Sequence, residues 1–272
     1  MIRKTVHAGT FYPRFAHQIT EMIDSWLAKA ENINDKGRNL GLIVPHAGYV
    51  YSGECAAKGM ASVRHENWDS IIVIHPSHQG NHFDFCLSPF EEYETPLGNI
   101  ERDDKTYQNL MPYADQNVQI DYHALEHSLE VQLPLIRYFF PQAQICPVMM
   151  GRQSPTVSQK LAAALYEAVY KSARKILVMV STDLSHYYDS PTAVNMDMHL
   201  IDYILKLDAE GMWNEMKKGK LEACGIGCIM ALLELAKHYD TAKGKLICYT
   251  NSGETSGMKD QVVGYVSAQV LI

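Results

Sequence analysis

The chain has 272 residues, 47% of them hydrophobic, with 24 Lys and Arg against 31 Asp and Glu for a formal net charge of −7. That length and apolar content accommodate one large α/β domain or two small ones. The acidic balance argues against the basic footprint of a nucleic-acid binder, and no apolar run reaches the roughly 18 residues of a membrane span.

The first residues carry charge but no apolar core, so no secretory signal is expected. Apolar spacing predicts a helix over 13–30, with Ile19, Met22, Ile23, Trp26 and Leu27 on one face, and then a polar linker over 31–38. A strand over 40–45 leads through a turn at 46–51 into a helix starting near Ser52, read as its N-cap. Strands follow over 70–74 and near 84–87. The stretch 89–104 is polar, with a turn signal at Pro96-Leu97-Gly98. Helices are predicted over 104–111, 125–138 and 156–171, two more between 192 and 217, and another over 225–238. Strands are predicted over 145–149, 176–180, 245–250 and 262–271. Strands alternate with helices throughout, which predicts one α/β domain over residues 1–272 with a largely parallel central sheet flanked by helices. The last two strands, closely connected, are expected to pair antiparallel at one edge.

Three apolar runs end in histidine: Leu42-Ile43-Val44-Pro45-His46, Ile71-Ile72-Val73-Ile74-His75-Pro76-Ser77-His78 and Ile176-Leu177-Val178-Met179-Val180-Ser181-Thr182-Asp183-Leu184-Ser185-His186. Each is a buried parallel strand delivering a polar side chain at its carboxyl end, where open α/β sheets bind ligands. Histidine from several strands suggests a shared metal site. His46 is either a ligand or a backbone-bonded turn residue. His75 still belongs to its strand and reads as structural, whereas His78 lies one turn beyond and suits an open site. His82 reads as solvated. Asp183 and His186, three apart, share a face if a helical turn begins at Thr182. They then form an acid/base pair, or alternatively an N-cap beside a surface histidine.

The segment Glu126-His127-Ser128-Leu129-Glu130 opens a helical pattern. His123 and His127 are one turn apart, the spacing of a shared metal ligand pair. The glutamates are equally explained by a helix N-terminus. Six cysteines, Cys55, Cys86, Cys146, Cys224, Cys228 and Cys248, include no C-x-x-C pair, and the chain reads as reduced and cytoplasmic. Cys86, Cys146 and Cys248 lie in apolar strand-like runs and read as core. Cys228 reads as packed. Cys224 precedes Gly225 and an apolar helix, a position that lowers a thiol pKa and favours the metal-binding thiolate. Its alternative is a buried small residue beside a glycine turn. Phe11, Tyr12, Tyr49 and Tyr51 line a pocket or simply pack.

Taken in order, His7-Ala8-Gly9-Thr10-Phe11-Tyr12, Pro45-His46-Ala47-Gly48-Tyr49-Val50-Tyr51, Pro76-Ser77-His78, Thr95-Pro96-Leu97, Glu126-His127-Ser128-Leu129-Glu130, Ser181-Thr182-Asp183-Leu184-Ser185-His186 and Cys224-Gly225 resemble the Memo family. The resemblance runs nearly end to end. It implies a fold similar to that of the class III extradiol (LigB-like) non-haem iron dioxygenases. It implies a metal site of His46, His78 and Cys224 holding iron or copper, with zinc as a further option. It places Asp183 and His186 beside the metal, His186 as acid/base, and a pocket bordered by Phe11, Tyr51, His127 and Glu130. In animal relatives it also implies phosphotyrosine-peptide binding. The chain departs from the pattern at His75, where glycine is expected, and at Phe11, where tryptophan is usual. Cysteine in place of the dioxygenase carboxylate is softer and is itself oxidisable. Three functions compete: a metal-dependent oxidoreductase acting on a small molecule, a peptide- or anion-binding module, and a zinc hydrolase.

Overall fold

Alternation within apolar runs sets the layers. In the computed structural model, which describes residues 1–28, 37–170, 172 and 174–272, Ile71 and Val73 face one helical layer while Ile72 and Ile74 face the other. All four are fully buried, which is the period-two pattern of a strand covered on both sides.

The strands are β1 (Ile2–Arg3), β2 (Asn39–Val44), β3 (Ser70–Pro76), β4 (Phe85–Leu87), β5 (Glu92–Tyr93), β6 (Ile100–Glu101), β7 (Gln144–Met150), β8 (Ile176–Ser181), β9 (His186–Tyr188), β10 (Lys243–Asn251) and β11 (Val262–Leu271). The large sheet has the order β10-β11-β2-β8-β3-β7-β4, with β9 added beside β11. Its centre, β2-β8-β3-β7, is parallel. Both flanks are antiparallel, β11 and β10 on one side and β4 on the other. The expected α/β architecture with a parallel core is therefore present within a mixed sheet. The terminal strands pair antiparallel as expected.

The helices are α1 (Ala16–Leu27), α2 (Glu54–Val63), α3 (Asp104–Leu110), α4 (Ile120–Leu125), α5 (His127–Glu130), α6 (Gln132–Phe139), α7 (Pro155–Tyr170), α8 (Ser190–Leu205), α9 (Ala209–Lys217), α10 (Ile226–Ala236) and α11 (Ser252–Ser256). One face of the sheet packs against α1, α2 and α6 through Ile19, Met60 and Ile136. The other packs against α7, α8 and α10 through Leu165, Leu200 and Leu233. No described helix is long and apolar enough to cross a membrane. The far end of the first predicted helix and most of the 31–38 linker lie outside the described residues.

Several local expectations are corrected. The 125–138 helix is broken, because Glu126 is extended (φ −77, ψ 120) and its carboxylate accepts the Ser128 N–H to cap α5. Ser52 does not cap a helix; it lies in a π-helical turn, Tyr49–Gly53, and its hydroxyl donates to the Ala47 carbonyl. No helical turn starts at Thr182. Residues 182–185 are irregular and His186 enters β9, whose pairing partner is β11. The polar 89–104 stretch holds β5 and β6, which form a small sheet with β1.

Candidate metal centre

The adjacent strands β2, β8 and β3 end side by side, and their exits supply His46, Ser181 to Asp183, and His78. This is the carboxyl edge of the parallel core. Cys224 arrives from the loop before α10. Gly225 there lies so close to β8 that an added Cβ would meet the Thr182 Cβ at 2.8 Å.

One ligand-capable atom each from His46, His78 and Cys224 lies within 4.8 Å of the others. His46 Nε2 is 3.2 Å from the Cys224 sulfur. Proton counting assigns the imidazole tautomers. The Ser181 hydroxyl has one proton, which it donates to the Ser128 carbonyl at 2.7 Å. Its oxygen accepts from Gln132 Nε2, and so His46 Nδ1, at 2.9 Å, is a donor to it. His78 Nδ1 donates to the Glu126 carboxylate at 2.8 Å, and the His78 backbone N–H donates to the other carboxylate oxygen at 2.7 Å. Both rings thus donate through Nδ1, which leaves Nε2 as the atom available to a metal, the arrangement in which a supporting acceptor fixes a metal-binding histidine. Burial and the neighbouring His78 lower the His46 pKa to about 3, keeping it neutral.

The thiol behaves differently from the expectation for a helix start. Burial, and then the Asp183 carboxylate, push the Cys224 pKa well up. At this end of α10 the effect of removing the sulfur from water exceeds that of the helix dipole. Asp183 N–H points at the sulfur from 3.2 Å and would support a thiolate once a cation is present.

Asp183 and His186 do not form the expected hydrogen-bonded pair. Asp183 Oδ1 accepts from the His46 backbone N–H at 2.7 Å. Burial raises its pKa to about 6, against the lowering effect of that bond. His186 Nδ1 lies 3.4 Å from Glu222 instead, because entry into β9 turns it away from a shared helical face. His123 and His127 do not converge either. The break at Glu126 sends His123 to the Cys86 sulfur at 3.4 Å. His127 stands over the site, its ring 4.3 Å from that of His78 and 5.4 Å from that of His46. Burial lowers its pKa to about 4.

Among the pocket residues, Phe11 packs 5.0 Å from His127, and Tyr51 is an exposed residue of the turn after His46. Glu130 is not in the pocket. It is buried, pairs with Arg3 at 2.8 Å, and accepts from the Tyr12 hydroxyl and the backbone of Val6 and His7. Cys86, Cys146 and Cys228 are buried as expected, while Cys248 is half-buried.

The sequence carries no signal that marks Ser181 or Glu222 as site residues, and Glu126 stands out there only as part of its helix-opening segment. A second group, His78, Glu126 and His127, also has ligand-capable atoms within 4.8 Å. There Glu126 is already engaged by His78 Nδ1, the His78 N–H and the Ser128 N–H and hydroxyl. Those bonds outweigh burial and hold its carboxyl well below the usual range. It is a support for His78, and the first group is the better donor set.

Fold and site together define an α/β protein that gathers two imidazoles and a thiol at the carboxyl edge of its parallel strands. The chain belongs to the family of Memo-like proteins, whose family model matches residues 3–269. Relatives named MEMO1 family protein include one from Ignicoccus hospitalis, 34% identical over 99% of this chain and 98% of its own length. Another, from Pyrobaculum arsenaticum, is 35% identical over 98% of each chain. An uncharacterized Escherichia coli K12 protein of known structure superposes with a TM-score of 0.52 at 10% identity, covering 85% of this chain and 99% of its own, a likeness of fold.

Proposed function

We propose that this protein is a metal-dependent oxidoreductase related to the extradiol dioxygenases, holding one iron or copper ion on His46, His78 and Cys224 and acting on a small organic molecule. The observation that carries the reading is the hydrogen-bond arrangement: two imidazoles, each fixed through Nδ1 to a supporting acceptor, within 4.8 Å of a thiol. Two nitrogens and a soft sulfur suit iron or copper, with zinc the closest competitor. A bound ion of this kind would supply one-electron chemistry and charge stabilisation to a substrate.

The protein's own groups divide the remaining work. Glu126 and Ser181 hold the imidazole tautomers. Asp183 anchors the His46 turn through its N–H. His186, whose side chain is 26% exposed, exchanges protons with the site and is oriented by Glu222 rather than Asp183. Phe11 and the neutral ring of His127 form an uncharged aromatic wall. The six cysteines are all free, in keeping with a cytoplasmic protein.

Elemental analysis after anaerobic purification tests this. The wild type is expected to carry close to one equivalent of iron or copper, and His46→Ala and Cys224→Ser to lose most of it. Unchanged metal content in both variants sinks the site, and zinc alone in the wild type favours hydrolysis. A second reading, peptide binding, draws on the apolar groove of about 510 Å³ beside the site, bordered by Phe11, Phe15 and Val50. Peptide affinity that survives both substitutions would favour it.

A further inference from the structure

His75 is fully buried at the end of β3, outside the donor set. Its Nδ1 lies 3.0 Å from the Ser128 hydroxyl and 3.3 Å from the Pro76 carbonyl, and its Nε2 has no partner. The Ser128 hydroxyl in turn lies 2.8 Å from the Pro76 carbonyl and 2.9 Å from Glu126 Oε1. Glu126 Oε1 is the atom that accepts from His78 Nδ1. A continuous string of four side chains therefore joins His75 to His78.

Its polarity follows from counting protons. Ser128 has one hydroxyl proton and faces two groups that only accept, a carbonyl and a carboxylate. Were His75 Nδ1 bare, three acceptors would compete for that proton, and buried acceptors left without a donor cost about 1–3 kcal/mol each. With the proton on Nδ1, His75 donates to the Ser128 oxygen and also reaches the Pro76 carbonyl. The Ser128 proton is then released to Glu126. The order becomes His75 Nδ1–H to Ser128, Ser128 O–H to Glu126, and His78 Nδ1–H to Glu126. Every donor in the string has an acceptor. The unfilled position is the His75 Nε2 lone pair, which faces away from the string.

We infer that His75 is a positioning residue for His78: through Ser128 it directs one more donor onto Glu126, which keeps that carboxylate in place to hold His78 by its Nδ1–H. The consequence for metal affinity rests on the reading proposed above; the tautomer does not. Neither Ser128 nor His75 would touch the ion. Their effect is transmitted in the way supporting hydrogen bonds tune metal-bound histidines, where losing one costs about 10–100-fold in affinity.

The test uses metal-free protein labelled with 15N at histidine, read by long-range proton–nitrogen correlation, and then titration with cobalt(II), followed by its thiolate charge-transfer band. His75→Asn places an amide donor near the Nδ1 position, His75→Phe removes it, and Ser128→Ala cuts the string in the middle. The wild type and His75→Asn are expected to show His78 protonated at Nδ1 and to bind cobalt within about twofold of each other. His75→Phe and Ser128→Ala should show mixed His78 tautomers and bind roughly 10-fold more weakly, at the lower end of the supporting-bond range. A wild-type His78 protonated at Nε2, or a His75→Phe variant with unchanged tautomer and affinity, overturns the inference. Tautomers that follow the expected pattern in a protein that binds no cobalt would uphold the relay and remove the metal reading.

Discussion

At the level of single residues, the two conspicuous glutamates of the 126–130 segment have opposite assignments, and chemistry explains why the sequence could not separate them. Both precede or follow His127 by a few positions, and both suit a helix start. Glu126 falls at the one extended residue between α4 and α5, which turns its carboxylate toward His78. Glu130 points to the other side and is consumed by the buried Arg3 guanidinium. Removing one partner of a buried ion pair costs about 3–5 kcal/mol because the other charge stays desolvated. Glu130→Gln should therefore lower unfolding free energy by about that amount in urea titrations, while folded protein keeps wild-type cobalt affinity. A loss of affinity without loss of stability would return Glu130 to the site.

Elements decide where the thiol sits. The Cys224-Gly225 motif and the apolar run behind it were legible, and so was the helix; the separation from β8 was not. It is set by tertiary packing, where the Thr182 side chain leaves no room for a methyl group on residue 225. Gly225→Ala should push the start of α10 away from the end of β8 and carry Cys224 with it. Overpacking of this kind costs about 1–3 kcal/mol, and the expected signature is a weakened thiolate-to-cobalt band in a protein that still folds. An unchanged band with lowered stability would mean that the loop absorbs the methyl group without moving the sulfur. The same scale accounts for the misread 182–186 segment. The spacing of Asp183 and His186 fits a helical turn, but the antiparallel pairing of β9 with β11 takes His186 instead. Pairing with a strand some 75 residues on leaves no local trace. By contrast, the parallel strands were legible because each is a continuous apolar run buried on both faces.

Across the whole molecule, the fold keeps an unusual number of imidazoles neutral. Burial lowers His46 and His75 to about 3, and His123 and His127 to about 4, from an ordinary 6.5. Between pH 6.5 and these values the unfolded chain takes up protons that the folded chain refuses, so stability must fall as pH falls. Asp183, raised to about 6, works in the opposite sense between its ordinary 3.8 and 6, since there the folded state holds the extra proton, and Asp197, also raised by burial, acts in the same direction. Four histidines outweigh two carboxyls. Metal-free protein should be most stable above pH 6.5, with a urea midpoint that drops steadily toward pH 4. A midpoint that is flat or rises on acidification would contradict the buried-imidazole arrangement. Family membership, spanning residues 3–269, says that the arrangement of elements is shared, whereas the ionisation pattern belongs to this chain's own side chains.

X-ray absorption spectroscopy of the anaerobically purified, metal-loaded protein beside its Cys224→Ser variant reads the His46, His78 and Cys224 donor set directly. One sulfur and two imidazole nitrogens are expected around the metal in the wild type, with loss of the sulfur scatterer in the variant. A shell of only nitrogen and oxygen in the wild type, or a sulfur contribution that persists in Cys224→Ser, would contradict it.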